Sequence, residues 1–503
     1  MNIRPVIAAA GQAISRWQPG EPHPPSPTSL RLQAAKAALA GLRLPRLDAL
    51  AVVRTTEDSV PTSTHPNGRD ANPPGTLARA LGREFGLEVG ERVYGGVGGH
   101  TPQSLVGEMA ARIARGEVGS ALVVGAEATA AAKAARRADV ELDWADGDPA
   151  LTTDRGADLS AALAWISTAE LRHGLHTPAH YYALMERRLT HTLSHGRKAH
   201  RRWMGELFAP LSDVAARNPW AQFPEARSAE WLAAPSATNY SVTDPYLRWH
   251  VAQDAVNQGA AVLLMSEASA REAGAGRLTF VRGGAEAHAP HLSQRADVGL
   301  SRAMQRAVES LRASTGLRGV PDALDLYSCF PVALWNAWQA VEPGANPPLD
   351  RALTLTGGLP FFGGPGNNYS LHAIAEMHTR LAGTRDTGLV LANGGWMSKA
   401  AVGLYSGEPA PFHAPPPTER LPAEVEVADG DGEVEGRLET FTFTSNREGA
   451  PQTGTAFVRL ADGRRALAVV AGGALATLAE REPIGAPARV RTAGGVGQLA
   501  SLG

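Results

Sequence analysis

LTLTGGLPFFGGPGNNYSLHAIAEMHTRLAGTRDTGLVLANGGWMSKAAVGLYS, residues 353–406, is the stretch on which the reading of this chain turns. A glycine-rich loop at 357–366 opens an amphipathic run that ends near Gly383. A short apolar strand, 388–392, then breaks into Asn393-Gly394-Gly395. Glycines at both ends of a helix–strand unit let backbone approach a ligand closely, or let two segments cross in contact. The same unit occurs earlier. Gly95-Gly96-Val97-Gly98-Gly99-His100 precedes a helix predicted over 103–115 and an apolar strand over 120–127. Two copies of one α/β unit imply pseudo-symmetric halves with parallel strands and helices between them. Both loops precede helix N-termini, where an anion or oxyanion is favoured.

Composition narrows the function classes. A chain of 503 residues is too long for one ordinary core. Net charge of −2 leaves no electrostatic footprint for nucleic acid. Lysine occurs only at 36, 133, 198 and 399, so arginine carries almost all of the basic charge. A single cysteine, Cys329, excludes an intramolecular disulfide framework and any cysteine-based zinc site. No apolar run reaches the roughly 18 residues of a membrane span. The opening MNIRPVIAAAGQAISRW turns polar too quickly for a signal peptide, which makes the cytoplasm the expected compartment.

Outward from the two units, strands are predicted at 3–10, 47–54, 92–94, 257–266, 279–282 and 324–327. Helices are predicted at 29–42 (capped by Thr28 or Ser29), 76–85, 297–315 and 332–341. This assigns 1–170 with 246–272 to the N-terminal half and 273–408 to the C-terminal half. The His-, Trp- and Arg-rich segment 171–245 reads as a helical insertion, and 409–417 (PAPFHAPPP) as a linker. Residues 418–503 alternate like strands, with a hairpin turn at Ala461-Asp462-Gly463, a helix at 474–480 and a last strand at 487–492. This pattern suits an OB-like barrel and a small α/β sandwich equally.

Three segments carry a family resemblance: 213–223 (DVAARNPWAQF), 258–267 (QGAAVLLMSE) and 122–127 (LVVGAE). With the duplicated halves they make residues 1–408 resemble the thiolase superfamily, in particular thiolases of the sterol-carrier-protein type, followed by an additional C-terminal domain. The resemblance implies a duplicated five-layer α/β/α/β/α fold with a helical insertion, a small β-rich domain at the C-terminus, and coenzyme A as substrate or ligand without a bound cofactor. Thiolases use a nucleophilic Cys at a helix N-terminus, a His in G-H-P, a second Cys that moves a proton, and an oxyanion loop. Carried onto this chain, the nucleophile position falls at Gly99, the G-H-P histidine at Gly364 and the C-x-G cysteine at Ala392. Only the loop Tyr327-Ser328-Cys329-Phe330 keeps a sulfur.

The catalytic candidates are therefore Cys329 and His100. Cys329 is a residual proton-transfer thiol or substitute nucleophile, against the plain alternative of a small buried hydrophobe. His100 is a base beside the vacant position, or binds a phosphate or carbonyl, against a loop histidine satisfied by backbone. Ser328, Gly99, Gly364, Asn368 and Asn393 are the candidate substrate-binding residues. Asn367, Asn368 and Asn393 are amide donors for an acyl oxygen, though Asn beside Gly is also an ordinary turn. The insertion histidines (His173, His176, His180, His191, His195, His200) read as helix-face residues, and no metal site is expected. Arg197, Lys198, Arg201 and Arg202 are candidates for the 3′-phosphate of coenzyme A, or a solvated helix face. The glycines at 95–99 are not a dinucleotide fingerprint and no P-loop is present. Two function classes follow. One is a thiolase-like protein acting on or binding an acyl-CoA without the usual Cys acyl-enzyme. The other is a non-catalytic acyl-CoA, lipid or scaffold protein that docks a partner through its C-terminal domain. A homodimer or protein partner is expected, nucleic acid and a membrane span are not.

Overall fold

The computed structural model describes residues 3–446 and 448–503, so the first two residues of the apolar opening lie outside it. The N-terminal half supplies β1 (Pro5–Ile14), β2 (Arg46–Val52), β3 (Glu88–Tyr94), β4 (Ser120–Ala128) and a two-residue β5 (Thr153–Asp154). The short β6 (Ser241–Thr243) and β7 (Tyr246–Leu247) close the insertion, and β8 (Asn257–Ser266) returns to the first half. The second half holds β9 (Thr279–His288), β10 (Ala323–Leu326), β11 (Thr387–Gly394) and β12 (Lys399–Ser406).

The strand order runs β10-β11-β12-β9-β1-β8-β4-β2-β3-β5. It contains the same arrangement twice. In β2-β4-β8-β1 the pairings are parallel, antiparallel and antiparallel. In β10-β11-β12-β9 they are again parallel, antiparallel and antiparallel. The halves meet at β1 and β9, through Val6 opposite Phe280 and Ile7 opposite Thr279. The second half has no counterpart of β3, and residues 342–368 run there as loop.

Both glycine-loop helices, Thr101–Ala114 and Tyr369–Leu381, lie between the sheets. Val106 and Met109 of the first share one core with Ile374 and Met377 of the second and with Val123, Val262 and Val390. Burial on every side explains why β4 and β8 are unbroken apolar runs without alternation. Helix Pro27–Leu39 covers the outer face of the first sheet, and Arg302–Thr315 covers the second. The result is the five-layer α/β/α/β/α order.

Some element limits differ from expectation for identifiable reasons. The first helix starts at Pro27, because Ser26 accepts from Ser29 N while the Ser29 hydroxyl bonds back to Ser26 N. The helix expected from 297 begins at Arg302, capped by Ser301. Gly283 and Gly284 do not end β9, which continues to His288. Strand β12 and the final β18 (below) were not anticipated.

The C-terminal residues settle the open choice. A short β13 (Glu419–Arg420) adds to β9. Then β14 (Gly432–Ser445), β15 (Pro451–Leu460), β16 (Arg465–Val470), β17 (Pro487–Ala493) and β18 (Val496–Leu502) close a ring, β14-β15-β16-β18-β17, with helix Gly472–Glu480 between β16 and β17. The parallel β16–β18 contact and the helix position are those of an OB-like barrel.

The insertion contains β6 and β7 besides the helices Pro178–Thr192 and Arg197–Arg217, and β6 bridges to β14 at Thr243–Thr444. The barrel is bolted to the body. Arg187 pairs with Asp244 and with Glu482 at 2.7 Å, and the fully buried Arg465 spans Glu439 and the carbonyl of Arg295. Among the described residues, no helix is long and apolar enough to cross a membrane.

Candidate functional site

The loop before helix Thr101–Ala114 turns at Gly98, whose φ of 129° suits glycine. Asn367 of the opposite glycine loop holds it there. Its side-chain oxygen accepts from Gly98 N at 3.1 Å, and its amide donates to the carbonyl of Arg54 and the hydroxyl of Ser59, each at 3.0 Å. The end of β11 brings Asn393 against the same turn. The nucleophile position itself is filled. A β-carbon at Gly99 would lie 2.5 Å from Tyr327 Oη and 2.6 Å from the Asn393 carbonyl oxygen. Gly364, by contrast, has room for a β-carbon, the nearest atoms being Ala252 Cβ and the Gln253 carbonyl oxygen at 3.4 Å.

Cys329 lies just before helix Pro331–Val341, a place that ordinarily favours a thiolate. Burial works the other way and pushes its thiol up to about 12. The helix N-terminus is already occupied, since Val332 N donates to the fully buried Glu186 carboxylate at 2.8 Å. Asn393 Nδ2 donates to Tyr182 Oη at 2.8 Å and reaches Cys329 Sγ at 3.8 Å. Tyr182 stacks on Phe330, with ring centroids 4.2 Å apart and planes 13° from parallel. Tyr182 and Tyr327 thus plug the junction of the loops.

His100 lies against Gly98 and Gly394. Its imidazole makes no hydrogen bond, Nδ1 being buried and partnerless, while Nε2 is 3.8 Å from Glu286 Oε1. Burial holds its pKa down at about 3, so the ring is neutral at physiological pH. Burial raises Glu286, but the hydrogen bonds from His288 and Ser104 and the two neighbouring imidazoles outweigh it and hold the carboxyl at about 2.

The structure therefore brings Gly99, His100, Cys329 and Asn393 together. Gly364 stands one strand of chain away, its N–H bonded to Gln253 O while Ala252 N bonds to Cys329 O. Ser328 is buried, against Gly358. Asn368 stands between two residues that bond this turn, Asn367 and Ser370. Its amide donates to Gly125 O at 2.9 Å and ties the second central helix to β4, while its Oδ1 is buried without a partner.

The insertion histidines divide. His200 is buried and bonds Glu186 at 2.7 Å, and His173 accepts from Gly497 N of the barrel at 2.9 Å. Arg197 is committed to Asp244 and Glu482, and Arg202 to Glu206. Of this cluster, Arg197 is therefore an interdomain fastening and Arg202 part of a solvated helix face. Tyr182, Tyr327, Glu286 and His288 were not singled out. The last pair was legible, because continued alternation through GGAEAH puts positions 286 and 288 on one face of a strand.

Comparison with known proteins adds the following. Residues 417–495 match the family model described as the thiolase-like protein type 1 additional C-terminal domain. A crystal structure of a monomeric SCP2-thiolase-like protein type 1 from Mycobacterium smegmatis is 33% identical over 99% of both chains, with a TM-score of 0.77. The Ltp2-ChsH2(DUF35) aldolase matches at 21% identity over 81% of this chain and 99% of that one, TM-score 0.56. Acetyl-CoA acetyltransferase from Syntrophomonas wolfei matches at 14% identity over 81% of this chain and 100% of that one, TM-score 0.55. These last two likenesses concern the fold alone. No curated protein matches the sequence.

Proposed function

The chain belongs to the SCP2-thiolase-like proteins of type 1, and we propose that it holds an acyl-CoA-type thioester non-covalently, without an acyl-enzyme. The carrying observation is the filled nucleophile position. Tyr327 Oη and the Asn393 carbonyl oxygen lie 2.5 and 2.6 Å from where a β-carbon at Gly99 would be, too close for a nucleophilic side chain there. Cys329 is no substitute, because a thiol pushed up to about 12 is not a thiolate at physiological pH. No base compensates, since the His100 ring makes no hydrogen bond to the thiol and Gly364 offers no imidazole.

Support for a thioester ligand comes from the inherited scaffold and from polar atoms of the loops that are buried without partners, namely His100 Nδ1, Ser328 Oγ, Asn368 Oδ1 and Asn393 Oδ1. Titration with coenzyme A and acetyl-CoA in a calorimeter, alongside a thiolysis assay, tests the reading. Saturable binding without turnover is expected. Thioester loss that disappears in Cys329→Ala would overturn it, and absence of binding would leave the scaffold reading, in which the fixed barrel presents a partner surface. The Mycobacterium smegmatis relative is monomeric. We take this chain to be monomeric too, because β5 pairs along the outer edge of β3 at Val93 and Tyr94.

A further inference from the structure

Where β9 passes the N-terminus of helix Thr101–Ala114, His100, Glu286 and His288 converge, with one ligand-type atom from each lying within 4.8 Å of the others. The strand period places Glu286 and His288 on one face, and the helix start delivers His100 opposite. Glu286 Oε1 takes a hydrogen bond from His288 Nε2 at 2.6 Å, and Oε2 takes one from Ser104 Oγ at 2.5 Å. The His100 ring meets the His288 ring edge-on, centroids 5.7 Å apart, and turns its Nε2 to within 3.8 Å of Glu286 Oε1.

We propose that His100, Glu286 and His288 form a binding site for a zinc-type divalent transition metal. Two imidazoles and one carboxylate are a donor set suited to Zn2+ and its neighbours, and poorly suited to Ca2+ or Mg2+, which take all-oxygen shells. Three protein ligands leave a further coordination position open. The Ser104 hydroxyl occupies Oε2, which fixes the carboxylate with Oε1 toward the two rings. Entry is available from both sides of the strand. Glu286 lines a cavity of about 370 Å³ beneath Pro415 and Thr418, and His288 lines one of about 260 Å³ with Trp165 and His291.

Two cations stand against the metal. Lys399 acts on the charge of Glu286, and Arg420 Nη1 contacts His288 Nδ1 at 3.2 Å. Ligation through His288 Nε2 moves the ring proton to Nδ1, so the exposed Arg420 side chain swings outward. Metal binding at these three residues requires no acyl ligand.

The experiment is a titration of the tag-free full-length protein, stripped with chelator, with Zn2+ by calorimetry and with Co2+ by visible absorption. About one equivalent is expected to bind, with a metal-dependent rise in melting temperature. Glu286→Gln and His288→Ala should each weaken binding by at least about tenfold and abolish the Co2+ spectrum. Arg420→Gln should tighten it. His195→Ala, which removes one of the other close histidine pair, should change nothing. Melting of the metal-free variants checks that they are folded. The proposal is overturned if the wild-type protein binds neither ion, or if both ligand variants bind as the wild type does.

Discussion

At Gly99 the absence of a β-carbon is a packing requirement. Adding one meets Tyr327 Oη at 2.5 Å and the Asn393 carbonyl oxygen at 2.6 Å. Gly99→Cys should therefore destabilise the fold by about 1–3 kcal/mol. Tyr327→Phe, which removes the nearer atom, should recover part of that cost in the double variant, read from denaturant midpoints. Neither variant should gain thiolase activity, because Gly364 supplies no imidazole. Glu127 gives a pH-dependent case. Burial raises its carboxyl from 4.5 to about 7, despite hydrogen bonds from Thr56 N and Oγ1. Between these values the unfolded chain has lost a proton that the native state keeps, so stability falls as pH rises from 4.5 to 7. The fall contributed by this residue should approach about 3 kcal/mol, and Glu127→Gln should flatten it in unfolding curves at pH 5 and 7.5.

At the scale of elements, the glycine loops were legible because they repeat. Each precedes a central helix and a buried strand, and the strand orders of the halves agree. Loop course was therefore readable from spacing, and so were the missing side chains at Gly99 and Gly364. The closure was not, because it depends on rings delivered from far away in sequence. Tyr182 comes from the insertion and Tyr327 from the end of β10, and no local pattern announces where an aromatic ring will lie. At Asn368 the difficulty is related, since an amide beside glycines looks like a ligand donor in sequence, and the bond it gives to Gly125 O on a strand has no local signal. Glu186 is the hidden keystone of this layer. It accepts from Tyr246 Oη and Val332 N, each at 2.8 Å, and pairs with His200 at 2.7 Å. It thereby joins both insertion helices, β7 and the helix after Cys329. Glu186→Ala should cost about 3–5 kcal/mol, because Val332 N and His200 Nε2 lose their buried partner at once and Tyr246 Oη keeps only Tyr182 O. Hydrogen exchange should then accelerate in helix Pro331–Val341 before it does in β4 or β8.

At the scale of the molecule, the C-terminal barrel looks in sequence like a separable module behind a proline-rich linker, and its packing denies that. Its own core gathers Leu438, Phe441, Val458 and Val490, yet Phe457 and Leu467 face the other way and belong to the core of the insertion and the second half. Hydrogen bonds reinforce the seam. Thr440 Oγ1 donates to Leu184 O and Thr455 Oγ1 to His173 O, each at 2.6 Å. Arg465, with none of its surface exposed, donates to Glu439 at 2.7 Å and to backbone oxygens on the loop after β9. Removing Arg465 strips the loop carbonyls of their donor and leaves Glu439 with Arg459 as its remaining partner, which costs about 1–3 kcal/mol. Arg465→Ala should therefore lower the melting temperature of the entire chain. Because the barrel shares its core with the body, the loss should appear as one shifted transition and not as early melting of a small domain ahead of an unchanged large one. Deleting residues 418–503 makes the same argument harsher, since it strips the apolar cover from the insertion. The truncated chain should aggregate or bind a hydrophobic dye strongly. A soluble, cooperatively folding truncation with the wild-type melting temperature would mean that the seam contributes nothing, and that the barrel is cargo on the linker instead of part of the fold.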